Sequence, residues 1–319
     1  MKLRKVFLTC LSLMLGLGLG GCVTRMPEDA ALPPEEPVET PSPATGTAAI
    51  EPWKIEEKAT GFDYDPNNLH YELVWSDEFD YTGKPDPDKW GYDTGGHGWG
   101  NNELQYYTEG GNAYVDGGKL IIEARAESMG GRNVTSSRLI TKNKGDWLYG
   151  YIEVRAKLPA GLGTWPAIWM LPTDWEYGNW PASGEIDIME HVGYDMDNIV
   201  TTVHTEAYNH SIRTQKGFTK AHENVTTEFH TYAIEWLPDK IRFIIDDEEQ
   251  FVFEPRKLIT VAHYKHWPFD KRFHLLLNIA FGGDWGGLEG VDMSILPVTM
   301  EVEYVRVYQA KEIDALTIK

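Results

Sequence analysis

Lys119–Ala126 (KLIIEARA) sets Leu120, Ile122, Ala124 and Ala126 against Ile121, Glu123 and Arg125. Tyr151–Leu158 (YIEVRAKL) sets Ile152, Val154, Ala156 and Leu158 against Tyr151, Glu153, Arg155 and Lys157. Alternation at period two over such lengths predicts half-buried strands. Similar runs predict strands near Tyr71–Trp75, Ala167–Leu171, Glu185–Val192, Ile199–Thr205, Thr231–Trp236, Lys240–Asp246, Phe273–Phe281 and Thr299–Tyr308. No long window favours the helical period. Gln215–Glu228 reads as a loop with at most one turn of helix. Short runs between Gly, Asn, Asp and Pro clusters, about ten strands in roughly 240 residues, fit one all-β, two-sheet sandwich. It spans 69–311, with 312–319 as a tail, and contains no internal repeat.

The first residues follow a different pattern. Lys2, Arg4 and Lys5 precede an apolar run, Val6–Leu19, too short and wrongly flanked to span a membrane. The run ends Leu19-Gly20-Gly21-Cys22, which resembles the lipobox of a bacterial lipoprotein. The resemblance implies that 1–21 is a signal peptide, cleaved before Cys22, and that the Cys22 thiol is lipidated. An ordinary secretory signal with an incidental Cys22 is the alternative. Cys10 lies within the run, so the mature chain keeps one cysteine and has neither a disulfide nor a cysteine metal site. From Pro27 to Pro52 there are seven prolines, with Glu28, Asp29, Glu35, Glu36 and Glu39 among them. Such a segment buries nothing and stays extended. Residues 22–68 therefore read as a disordered tether, holding an extracytoplasmic domain to a bacterial membrane or cell surface, or releasing it.

Charge narrows the partners. With 29 Lys plus Arg against 49 Asp plus Glu the chain carries −20, and losing Lys2, Arg4 and Lys5 takes it to 26 against 49, or −23. Such a field repels phosphate and excludes a nucleic-acid partner. The 42% hydrophobic fraction is enough for a real core, and a monomer is expected.

Candidate chemistry concentrates in Ser183-Gly184-Glu185-Ile186-Asp187-Ile188-Met189-Glu190-His191. Alternation puts Glu185 and Asp187 on one face and Ile186 and Ile188 in the core. It would send Glu190 coreward, unless a one-residue bulge at Met189 returns it to the acidic face and turns His191 away. Four strand steps then separate the outer glutamates by roughly 13 Å at the backbone. Inward-leaning side chains bring their carboxyls to about 5 Å, the spacing of a retaining glycosidase pair. On this reading Glu185 is the nucleophile, Asp187 positions it, and Glu190 is the acid and then the base. Neighbouring carboxylates should raise the Glu190 pKa. A solvated acidic face and a carboxylate metal site are the competing readings. Crowding of three acids on one face disfavours the first, and the absence of a partner motif disfavours the second.

These residues, with WSDEF (75–79), WGNNELQYYT (99–108), GTWPAIWMLP (163–172), VHT (203–205), FHTYAIEW (229–236), LNIAFGGDWGG (277–287) and VEYVRVYQ (302–309), resemble glycoside hydrolase family 16. The bulged E-x-D-x-x-E form is that of its bacterial laminarinases, endo-1,3-β-glucanases. The resemblance covers about Leu69 to Ala310. It implies a concanavalin-like β-jelly roll with a sugar-binding cleft on its concave sheet, and it supports the three acidic roles.

Trp165 and Trp169 match the family's cleft tryptophans, and their spacing puts both on one strand side. The five Trp between Trp147 and Trp180 read together as a cleft lining. Arg138, Asn101 and His204 are expected to hydrogen-bond sugar hydroxyls, His204 alternatively being structural; Trp180 and Trp285 are weaker candidates. Many members hold a structural Ca²⁺ through positions matching the carbonyls of Glu78 and Gly118 and an acid, usually Asp, that is Glu303 here. That ion stays open, and catalysis needs no cofactor. The implied function is retaining endo-hydrolysis of β-1,3-glucan. Alternatives are mixed-linkage glucan or a galactan such as agarose, transglycosylation, or a surface lipoprotein that binds glycan without cutting it. A pure binder has no need of the paired glutamates.

Overall fold

The computed structural model describes residues 64–255 and 263–313, all within the compact unit Ile55–Lys319. The signal segment, Cys22, the tether up to residue 63 and the last six residues lie outside the described residues; 64–68, expected to belong to the tether, are described. The first strands are β1 (Tyr71–Asp77), β2 (Gly91–Asp93), β3 (Gln105–Tyr107), β4 (Ala113–Asp116), β5 (Lys119–Ala124) and β6 (Val134–Ser136). Next come β7 (Arg138–Ile140), β8 (Asp146–Trp147), β9 (Gly150–Lys157), β10 (Thr164–Pro172), β11 (Glu185–Glu190) and β12 (Asn198–His204). The last are β13 (Lys216–Ala221), β14 (His230–Trp236), β15 (Ile241–Ile245), β16 (Glu248–Phe253), β17 (Phe273–Phe281) and β18 (Val298–Ala310). A four-residue helix, α1 (Gly283–Gly286), follows β17.

Two eight-stranded antiparallel sheets face each other. One runs β16-β15-β14-β9-β18-β5-β4, with β1 also on β18; the other runs β13-β12-β11-β10-β17-β7-β2, with β8 also on β17. Strands adjacent in space are mostly distant in sequence, as the expected jelly roll requires. Alternation builds the core between the sheets. Ile152, Val154 and Ala156 of β9 share one buried cluster with Leu275, Leu277 and Ile279 of β17, while Tyr151, Glu153, Arg155 and Lys157 face outward. β17 is buried along its whole length, because its second face floors the cleft described below. Among the described residues, Tyr64 and Ile313 already pack on the core, outside the expected 69–311.

All ten expected strands are present. Gln215–Glu228 differs: Lys216–Ala221 is a strand, β13, paired only with β12 and almost wholly exposed. An edge strand wet on both sides has no apolar alternation to betray it.

Candidate active site

β11 carries the acidic trio, and its register contains the irregularity. Trp169 of β10 faces Asp187, but Ile168 faces Met189 and Ala167 faces Glu190, so one residue of β11 is extra. On the other side Asp187 faces Thr202 and Glu190 faces Val200. The bulge lies at Ile188–Met189, and both side chains are buried in the core. Glu185, Asp187 and Glu190 therefore line one cleft, whereas His191 is buried with its Nε2 3.1 Å from the Met196 carbonyl. Gly184 leads into the strand at φ +87°, where a Cβ would sit 2.7 Å from Pro268 and 2.9 Å from Phe269. Only glycine fits there.

The cleft has a volume of about 580 Å³. Alternation decides its lining: Trp165, Ala167 and Trp169 from β10, Val200, Thr202 and His204 from β12, Asn278 and Ala280 from β17. Trp165 Nε1 donates to Glu190 Oε1 at 3.1 Å, and the Trp180 side chain donates to Glu185. Each glutamate thus has an indole donor that favours its ionised form. His204 Nε2 lies 3.4 Å from Asp187 Oδ2, and its ring packs at 5.9 Å from Trp180 and 5.2 Å from His210.

Burial is the first cause of every shift in the trio. It pushes Glu185 up to about 8, with Asp187's charge adding and His204 opposing. It pushes Glu190 up to about 7, with His204 lowering and Glu185 raising it. Asp187 lies well above the ordinary aspartate range, raised further by Glu190. Three carboxyls this close cannot all ionise, and Glu185 and Asp187 share a hydrogen bond and its proton. Were the shared proton placed on Asp187, the charge raising Glu185 would be gone and a donor would replace it; that is the distribution in which Glu185 can act as a nucleophile and Glu190 as an acid.

Most expected sugar contacts are in the cleft, several in altered roles. Arg138 is buried, with its guanidinium 4.7 Å from the Trp99 ring and 4.5 Å from the Trp169 ring, and its Nε 3.1 Å from Asp93 Oδ2. It is a cationic spacer between two indoles more than a free hydrogen-bonder. Asn101 lines the cleft, and its Nδ2 donates to Glu103 at 3.4 Å. Trp285, on α1, meets Trp165 edge-on at 5.4 Å and also lines the cleft. The expectation that all five Trp from Trp147 to Trp180 form the lining is corrected. Trp147 packs in the core, edge-on to Trp75 at 5.4 Å, whereas Trp165 and Trp169 line the cleft and Trp180 borders it through Glu185, His204 and His210. β8 turns Trp147 inward because its strand pairs with the β17 end at Phe273.

Sequence reading missed a network beneath Trp169. Trp169 Nε1 donates to Asn278 Oδ1 at 2.7 Å, and Asn278 Nδ2 donates to the Tyr107 hydroxyl at 3.1 Å. Tyr107 donates to Glu103 Oε2 at 3.4 Å, and Gln105 Nε2 donates to the same oxygen at 2.6 Å. The chain fixes the Asn278 amide and hence the indole. Trp99, Glu103 and Tyr107 stood in the quoted WGNNELQYYT and Asn278 in LNIAFGGDWGG, but only strand pairing shows that they meet. His210 and Gln215 also reach the cleft, from loops with no sequence signal.

The three calcium positions do not fit a cation as placed. Glu303 Oε2, the only side-chain oxygen in the set, accepts from Arg155 Nε at 2.6 Å. The Glu78 side chain is held by Arg306 at 3.0 and 2.8 Å. A cation could take Glu303 only at the expense of that ion pair.

Comparison with known proteins gives consistent relatives. Residues 100–306 match the sequence profile described as Glycosyl hydrolases family 16. A beta-glucanase of Rhodothermus marinus is 56% identical over 254 residues, covering 78% of this chain and 89% of that protein. The crystal structure of the laminarinase from that organism matches 76% of this chain and 98% of its own, with a TM-score of 0.74. A crystal structure of a non-specific endo-β-1,3(4)-glucanase is 46% identical over 77% of this chain and 95% of its own, with a TM-score of 0.71. A glucan endo-1,3-beta-glucosidase of Cryptopygus antarcticus is 39% identical over 73% of this chain and 90% of that protein.

Proposed function

The chain belongs to glycosyl hydrolase family 16, and from that premise we infer that it is an endo-1,3-β-glucanase acting with retention. The observation that carries the mechanism is the β11 bulge, which puts Glu190 in the same trough as Glu185 and Asp187. Trp165, Trp169 and Trp285 offer flat apolar faces to glucosyl rings, and a neutral glucan is indifferent to the chain's −20.

In the first step a Glu185 oxygen attacks the anomeric carbon from one face. The bond from that carbon to the glycosidic oxygen breaks, and the oxygen leaves with the Glu190 proton. Asp187 steadies Glu185 through their shared hydrogen bond. The glycosyl ester removes one negative charge from the trough, which eases ionisation of Glu190. In the second step water gives a proton to Glu190 and its oxygen to the anomeric carbon, and Glu185 departs as carboxylate. Two inversions leave the β configuration intact.

Laminarin, lichenan and agarose incubated in parallel test this. Internal cleavage of laminarin, with β-anomer first by NMR, is expected. First release of the α-anomer overturns the double displacement, and preferred cutting of agarose overturns the substrate. Cys22 is proposed as the lipidated anchor of a tether that holds the monomeric enzyme at a membrane or cell surface.

A further inference from the structure

We propose that His222, His230 and Asp246 form a binding site for a transition-metal dication of the Zn²⁺ class, one that staples the edge of the cleft-bearing sheet to the opposite sheet. The three residues come from separate elements. His222 follows the edge strand β13, His230 opens β14, and Asp246 begins the turn between β15 and β16. None of them lines the cleft.

The three ligand atoms converge. His222 Nε2 is 3.0 Å from His230 Nδ1 and 3.0 Å from Asp246 Oδ2, and His230 Nδ1 is 2.6 Å from Asp246 Oδ2. Metal–ligand bonds of about 2.0–2.1 Å place neighbouring ligands about 2.9 Å apart in an octahedral corner and about 3.3 Å apart in a tetrahedron. Two of the contacts match the octahedral corner, and the third needs to open by about 0.3 Å. Hydrogen atoms alone satisfy the triangle poorly. If both rings donate to Oδ2, two N–H groups face each other. If one ring does not donate, its lone pair faces either a lone pair of Oδ2 or a shared proton. A cation at the centre makes all three contacts attractive.

The surroundings hold the donors in place. Asp246 and Asp247 both have positive φ, 47° and 65°, forming a two-residue hairpin turn that presents the carboxyl. The Thr231 N–H donates to Asp246 Oδ1 at 2.8 Å, which leaves Oδ2 aimed at the histidines. The His222 N–H donates to the Asp197 carbonyl at 2.8 Å. The imidazoles are largely buried, while Asp246 is open to solvent, so water can complete the coordination. Two imidazoles and one carboxylate favour zinc, cobalt, nickel or copper over calcium or magnesium.

The consequence is structural. β13 belongs to the cleft sheet and contributes Thr219 to the cleft lining, whereas β14, β15 and β16 belong to the other sheet. At this edge the Lys220–Glu248 pair at 3.2 Å also runs from β13 to β16. A bound ion would tie the exposed strand down and stabilise the folded chain by mass action.

The test uses the full chain, stripped with chelator and titrated with Zn²⁺ by calorimetry and thermal melting. One equivalent should bind, and Tm should rise by roughly 5–10 °C at a hundredfold excess over the dissociation constant. Ca²⁺ and Mg²⁺ should do neither. His222→Ala should weaken binding at least tenfold. Asp246→Asn, which can keep the Thr231 hydrogen bond, should do the same should the histidine variant misfold. Glu185, Asp187 and His204 also bring three ligand atoms together. Glu185→Gln must therefore retain the heat and the Tm shift. Absence of a Zn²⁺-dependent shift, its persistence in both His222→Ala and Asp246→Asn, or its loss in Glu185→Gln overturns the proposal.

Discussion

At the residue scale the acidic trio costs stability as pH rises. Glu190 is held at about 7 against an ordinary 4.5, and Glu185 at about 8, so folding takes up protons. The stability this gives is full below pH 4.5 and is lost as pH rises through 7 to 8. Glu190→Gln cannot ionise, so it should melt higher than the parent at pH 8 and level with it near pH 4.5. The carboxyl is partly open to the cleft, which limits the gain to on the order of 1–3 kcal/mol, several degrees in Tm. A variant that melts lower at pH 8 would mean that Glu190 is not repelled in the fold. Glu185→Gln should cut laminarin turnover by about 10⁴-fold or more, while glucan affinity stays within about threefold. Normal turnover would end its assignment as nucleophile. Glu185, Asp187 and the two cleft tryptophans were legible in the sequence because strand alternation fixes which residues share a face, whereas Glu190 required a bulge that alternation alone does not give. The Glu103–Tyr107–Asn278–Trp169 chain was not, since its members come from β3, β10, β17 and the loop before β3.

At the element scale the bulge in β11 reconciles an odd spacing with a common face. Removing Met189 alone would restore strict alternation, with Glu185, Asp187 and the following Glu still in phase. That deletion should keep measurable hydrolysis, about a tenth of the parent's, despite the loss of one buried side chain. Removing Ile188 and Met189 together puts the last Glu on the core face, and activity should vanish. Activity surviving the double deletion, measured as reducing ends released from laminarin, would show that the register does not place the acid. The ion pair between β9 and β18 gives a second expectation. With Arg155 holding Glu303, millimolar Ca²⁺ added to chelator-stripped protein should leave Tm unchanged. A rise would mean that Glu303 has left Arg155 for the ion. The strands hardest to read were those of two to four residues, such as β2, β7 and β8, too short for a period to show. The other was β13, whose residues are solvated on both faces.

At the scale of the whole molecule, strand count and alternation made two packed sheets legible before any coordinates. The order of the strands was not, because β10 pairs with β17 and β9 with β18 across more than a hundred residues of sequence. No local signal records such pairings. The described core lies within the compact unit Ile55–Lys319, so catalysis and the proposed anchoring are separable tasks. A chain beginning at residue 55, the start of that compact unit, should keep the melting temperature and laminarin turnover of the full-length protein within about twofold, since it retains every described core side chain. Cys22→Ser in the full-length chain should leave turnover equally intact. The proposed lipid is a partition device worth about 0.8 kcal/mol per buried methylene. Its loss should therefore move the protein from the membrane pellet to the soluble fraction after cell fractionation. Equal pelleting of Cys22→Ser and parent would show that the thiol carries no anchor. A fall in turnover in the shortened chain would show that the proline-rich segment contributes to the cleft.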